Sequence, residues 1–210
     1  MKLAHYLMAA AIATPALAAQ AAPITLDFEG VESFSSVGDF YNGGTDGAGN
    51  SGTDYGVSFT SSGLGLSNDA LGDYFSNAPT PGSILFATDD ALFMNVAAGF
   101  ADYASFFYSS SVSAPLVVNI YSGLNGTGSV LGSFSLNLNA QAGCNDTMFC
   151  NFEKTSVVFA GIGHSIGFGA TAGTVGFDNV VLNPVPEPST YALLAFGLAG
   201  IGLATRRRAA

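Results

Sequence analysis

The pentapeptide Gly163-His164-Ser165-Ile166-Gly167 has the spacing of a nucleophile elbow, in which a serine on a sharp strand-to-helix turn attacks an acyl carbon. That chemistry needs an acid and then a histidine after the serine, and no histidine follows Ser165. The stretch 168–173 is also too rich in glycine to start a packed helix. His5 and His164 are the only histidines, so histidine-built metal clusters and most triads lack members. Carboxylates are abundant, with 15 Asp and Glu in the chain. A suitably spaced pair could hydrolyse a glycosidic bond, yet none sits in a recognisable acid or nucleophile motif, and no catalytic residue is expected. Segment 39–55 gathers Asp46, Asn50 and Asp54, oxygen donors that suit a hard cation. Their spacing is neither that of an EF-hand nor that of a calcium-binding nonapeptide, so the segment reads as an ordinary glycine-rich loop. Tyr41, Tyr55, Tyr74 and Tyr121 are the aromatic candidates for stacking a sugar ring, in a chain without tryptophan. Cys144 and Cys150 are the only cysteines, too far apart for a Cys-x-x-Cys redox pair, and a local disulfide is expected. Closing so short a loop contributes roughly 2 kcal/mol in the chain-entropy model.

The elements that must position these residues are strands. Runs rich in β-branched and aromatic residues recur at 24–28, 55–60, 83–87, 92–96, 103–108, 116–121, 130–138, 155–159, 165–168 and 174–182. Turn chemistry breaks them apart, as in Asn42-Gly43-Gly44, Pro79-Thr80-Pro81-Gly82 and the glycine-rich stretch 122–128. The 27 glycines and the low charged fraction of 10% point away from helices. With no heptad, zinc spacing or solenoid period, the economical reading is all-β: one antiparallel jelly-roll-like β-sandwich over residues 22–183.

Both ends lie outside that domain. Lys2 and His5 precede a short apolar stretch, and the small residues around Ala18 and Ala21 suit a cleavage site, so residues 1–21 read as a cleavable signal peptide. Residues 184–210 contain Val185-Pro186-Glu187-Pro188, then an apolar run at 191–205 read as a single hydrophobic helix, then Arg206-Arg207-Arg208. A rigid proline-flanked site, a membrane-seeking helix and a cluster held on the cytoplasmic side make a processing address. The segment closely resembles the PEP-CTERM sorting signal. That resemblance implies a substrate of an exosortase, exported through the Sec machinery of a Gram-negative bacterium that makes exopolysaccharide. It further implies transient anchoring in the inner membrane through residues 191–205, cutting near Pro-Glu-Pro, and release to the cell surface or extracellular matrix.

Removing both ends leaves Lys154 as the only basic residue of a strongly acidic domain. Such a surface repels phosphate backbones, so nucleic acid is not an expected partner. The opening run Leu26-Asp27-Phe28-Glu29-Gly30 and the closing run 176–182 are similar to the terminal strands of galactose-binding-like and carbohydrate-binding jelly rolls, where the two ends meet. Some of those modules hold a structural calcium there, and the resemblance makes Asp27, Glu29 and Asp178 the candidate ligands. Asp27 and Glu29, two apart, would project from one face of a strand opposite Leu26 and Phe28. The expected function is that of a non-enzymatic matrix-structural or glycan-binding module, with exopolysaccharide or another glycan as partner. A carbohydrate-active enzyme is the alternative, and ice or surface adhesion a lower one, since regular Thr-x-Thr ranks are missing.

Overall fold

Strand β9 (Val175–Pro184) is paired on both edges, and the rest of the fold is arranged around it. The computed structural model describes residues 21–69, 74–113, 115–185 and 195–199. In chain order the other strands are β1 (Ile24–Leu26), β2 (Val57–Phe59), β3 (Gly63–Ser67), β4 (Ser83–Ala87), β5 (Phe93–Ser110), β6 (Leu116–Tyr121), β7 (Val130–Leu136) and β8 (Glu153–Gly167). All named pairs are antiparallel, in the order β3-β4-β9-β5-β8-β6-β7, with β1 joining β9 and β2 joining β5. The ends of the domain meet as the jelly-roll resemblance implied: Ile24 faces Leu182 and Leu26 faces Val180.

Two long strands convert this single ladder into a sandwich. The C-terminal half of β5 and the N-terminal half of β8 lie in one layer with β9, β4 and β3. The opposite halves lie in the second layer with β2, β6 and β7. Phe106 shows how the layers close, because its ring meets Phe177 of β9 at 5.2 Å, Phe134 of β7 at 4.5 Å and Phe168 beyond β8 at 5.8 Å. These edge-on and tilted contacts are the arrangements aromatic quadrupoles favour, and they form the centre of the larger core.

The layers are joined at a corner. Pairing between β5 and β8 jumps from Asn95–Ser165 to Phe100–Gly163, and again from Ala101–Ile162 to Tyr103–Val158, so each strand bulges where it changes layer. Gly99 sits in the bulge at φ +85°, and the Ile162 side chain occupies the space a Cβ would need. The runs expected at 92–96 and 103–108 are therefore one strand, as are those at 155–159 and 165–168. Positive-φ residues between them look like turns in sequence but act as hinges in a continuous ladder. Strand β3 went unforeseen because its alternating glycines carry no β signal.

Of the segment 1–21 expected as a signal peptide, residues 1–20 lie outside the described residues, as do Pro186, Glu187, Pro188 and the Arg206–208 cluster. Of the apolar run only 195–199 is described, as a helical turn with Phe196 and Leu198 exposed. Among the described residues no helix is long and apolar enough to cross a membrane.

Candidate ligand-binding cleft

The acidic residues expected to share an ion converge on one loop, but as its internal fastening. β1 ends at Leu26 and Phe28 adopts φ +59°, so Asp27 and Glu29 do not share a strand face as the sequence pattern suggested. Glu29 turns to accept hydrogen bonds from the backbone N–H groups of Gly82, at 2.8 Å, and Ser83, at 3.3 Å. A Cβ at position 82 would run into the Glu29 carboxylate, which would have to move from its present place. Asp178 is fully buried and accepts from the Thr80 N–H at 2.9 Å and the Asn179 N–H at 2.7 Å, with the Thr80 hydroxyl 2.8 Å away. Burial pushes its carboxyl up to about 7, against the lowering effect of the Thr80 and Asn179 hydrogen bonds and with a further upward push from the nearby Glu29 charge. Asp27 accepts from the Tyr41 hydroxyl and the Glu29 N–H, both at 3.2 Å. Burial, and then the Asp27 charge, drive the Tyr41 phenol far above its ordinary value.

N–H and O–H donors thus engage Oδ1 of Asp27, Oε1 of Glu29 and both carboxylate oxygens of Asp178. Among the described residues, no three His, Cys, Asp or Glu are grouped so as to hold a metal. Asp46 is used inwardly as well. Burial raises its carboxyl, but hydrogen bonds from the Glu32 N–H, the Asn50 side chain and the Asn50 and Ala48 N–H groups outweigh that and hold it below the usual range. The elbow-like Ser165 is buried in β8, donating to the Gly123 carbonyl at 2.6 Å and accepting from the Gly126 N–H at 3.0 Å. Its hydroxyl ties down a turn.

Three of the four candidate tyrosines are also committed to packing. Tyr41 is buried against Phe28 and Phe40, Tyr55 stacks on Tyr41, and Tyr121 is half-buried edge-on to Phe93. Tyr74 differs, with 60% of its surface exposed. It stands at the rim of a cleft of about 510 Å³ whose base is formed by Phe75, Phe86 and Phe149. Phe34, 76% exposed, also lines the cleft, together with Ser33 and Ser67. Phe34 is held at φ +61°, a conformation that disfavours a bulky side chain, and its N–H donates to the Gly65 carbonyl at 2.8 Å. The backbone accepts strain there and presents an aromatic ring to solvent.

The disulfide builds the remaining wall. Cys144 and Cys150 are bonded, as the sequence suggested, and the loop they close carries Met148 and Phe149 into the cleft. Phe149 stacks on Phe75 at 4.6 Å, and its N–H donates to the Tyr74 carbonyl at 2.9 Å. Asn77 fastens the same loop by donating to Asp146 at 3.1 Å and to the Cys150 carbonyl at 3.0 Å. A second small core of Phe75, Ile84, Ala140 and Phe149 underlies the cleft. The sequence held one pointer to this site, the apolar pair Met148-Phe149 inside an otherwise polar disulfide loop. Phe34, Phe75 and Phe86 come from distant segments, and only the fold assembles them. Among the described residues that line the cleft, none is acidic, so no carboxylate pair of the glycosidase kind stands there.

Several solved structures are similar to the chain. A carbohydrate-binding module from Clostridium stercorarium, solved in complex with cellobiose, is 14% identical and matches 77% of this chain and 93% of its own, with a TM-score of 0.37. The K2 cleaved adhesin domain of Lys-gingipain is 13% identical over 77% of this chain and 97% of its own, with a TM-score of 0.48. A family 6 carbohydrate-binding module is 16% identical over 60% and 84%, with a TM-score of 0.37. No curated protein matches the sequence. Residues 184–208, directly after the body of β9, match the family model of the PEP-CTERM protein-sorting motif, and the chain carries that motif.

Proposed function

We propose that this is an exported exosortase substrate whose sandwich is a non-catalytic module that binds a neutral glycan in the aromatic cleft. The sorting motif supports export and processing, with residues 191–205 as the transient inner-membrane anchor. The observation that carries the binding reading is the pair of exposed rings, Phe34 and Tyr74, held at one apolar cleft in a domain that otherwise turns its aromatics inward. Flat ring faces suit the C–H face of a pyranose, and the nearby Ser33 and Ser67 hydroxyls offer partners for sugar hydroxyls. The acidic surface disfavours polyanionic polymers, which selects uncharged polysaccharide. Destination would be the cell surface or extracellular matrix.

Titration of the protein with neutral oligosaccharides tests this directly. Tyr74→Ala and Phe34→Ala should each weaken binding about tenfold, the loss of roughly 1.4 kcal/mol, while thermal unfolding stays close to that of the unaltered protein. Binding that survives both substitutions would remove the cleft from consideration. Turnover of the sugar, abolished by a single Asp or Glu substitution without unfolding, would establish the enzymatic alternative.

A further inference from the structure

We infer that the corner joining the two layers is a lipid-facing surface: the sandwich rests it on uncharged headgroups while the C-terminal segment is inserted, with the aromatic cleft pointing away from the bilayer. This rests on the reading of residues 191–205 as a membrane anchor.

The position of the exit comes first. β9 ends at Pro184, and the Val185 N–H donates to the Gly99 carbonyl at 2.9 Å, so the chain leaves the domain at the corner. Only residues 186–190 separate that point from the apolar run. Fully extended they reach about 18 Å, and the corner cannot stand far from the surface the run enters.

The corner itself is apolar. The β8 bulge pushes out Val158, 80% exposed, and Ile162, 47% exposed, with Ala160 exposed between them. Ala97 and Ala98 are exposed in the matching bulge of β5, and Ile162 packs against Gly99 beside the exit. The titratable groups here are His164, whose Nδ1 lies 3.2 Å from the Val96 carbonyl oxygen, the exposed Asp102, and Tyr103, which pairs with Val158 and whose hydroxyl donates to Ser105 at 2.6 Å. With an aspartate and no lysine or arginine, this face fits zwitterionic headgroups better than anionic ones. Two large side chains are too little to bind a free domain to lipid, but a short tether raises the effective concentration to the millimolar range and makes a weak contact sufficient.

The cleft lies at the other end. Gly173, which lines it, lies two residues before the start of β9, and Val175 pairs with Ser110 at the far end of β5 from the corner. A strand of this length spans about 30 Å. A domain seated on its corner would hold Phe34 and Tyr74 at that height, open to polymer before any cleavage.

The chain has no tryptophan, so single substitutions report position without background. Full-length protein carrying Phe196→Trp, Val158→Trp or Phe34→Trp would be reconstituted in phosphatidylcholine vesicles containing a headgroup-region quencher. Insertion predicts a blue-shifted Phe196→Trp emission. Docking predicts a blue shift and quenching for Val158→Trp and an unchanged, solvent-like Phe34→Trp. If Phe196→Trp shifts while Val158→Trp stays in water, or if Phe34→Trp is the quenched site, the docking surface is refuted and the anchor stands. If Phe196→Trp does not shift, the anchor reading fails and the docking falls with it. Val158 is exposed enough that tryptophan there does not challenge the fold.

Discussion

The acidic fastening around Thr80 and the aromatic cleft around Tyr74 are close in sequence and opposite in construction. At the first, three carboxylates from the two ends of the domain are turned inward and matched to N–H and O–H donors. At the second, two aromatic rings are turned outward over a floor of phenylalanines, one of them from a strained backbone position. Polar groups that are already satisfied hold the fold together. Apolar faces left open at the cost of strain are where a ligand has something to gain. Charge density alone points to the first region and not to the cleft.

The largest effect should come from deleting the buried carboxylate. Asp178→Ala leaves the Thr80 and Asn179 donors without a partner, and denaturant titration should show a loss of about 3 kcal/mol, while the folded fraction keeps its affinity for neutral glycan. An equal loss of affinity would erase the division between the two regions. Replacing Cys144 and Cys150 together by alanine should cost roughly 2 kcal/mol and, unlike Asp178→Ala, weaken glycan binding as well, since Met148 and Phe149 lose their anchor. Intact binding in that variant would separate the disulfide from the cleft.

A smaller shift is expected with pH. An unfolded aspartate titrates near ~3.9, whereas Asp178 in the fold titrates at about 7. Between those values the folded state keeps the proton and the unfolded state does not, so rising pH favours unfolding. The contribution of Asp178 is most favourable below about pH 4 and is lost as pH passes about 7. Asp46 acts with the opposite sign but below the ordinary carboxylate range, where its hydrogen-bonded ionised form is lost on acidification. Thermal melts should therefore fall by several degrees from pH 4.5 to 8, and the slope should vanish in Asp178→Asn. The smallest expected response is to calcium: the melting temperature at pH 7.5 should be the same with the ion and with chelator. A rise of several degrees with calcium would mean that the Thr80 fastening opens to admit it.

Much of the fold was legible because it is local. The β4 and β6 runs appear in the sequence with the bounds they have in the fold, as alternating or continuous β-rich segments between turn residues. The disulfide was legible because only one pairing exists, and the sorting motif because it is contiguous. The corner was hidden, since Gly99 and Asp102 at positive φ signal a turn to any local reading while long-range pairing to β8 carries the strand through them. Tyr41 was hidden for a related reason. A tyrosine in a glycine-rich loop reads as exposed, and its burial depends on an aspartate and a backbone amide fourteen and thirteen residues away. The cleft needed several separated segments to be brought together, which hydropathy does not encode.

The hydrogen bond from Val185 to Gly99 also decides how the domain would bear tension. A pull on the chain beyond Pro184 enters β9 along its axis, and β9 is bonded to β5 on one edge and to β1 and β4 on the other. Strain in that direction loads those ladders together, in shear, instead of opening them one rung at a time. The strand that leads to the sorting motif is thus held along both edges against drag on a tethered domain.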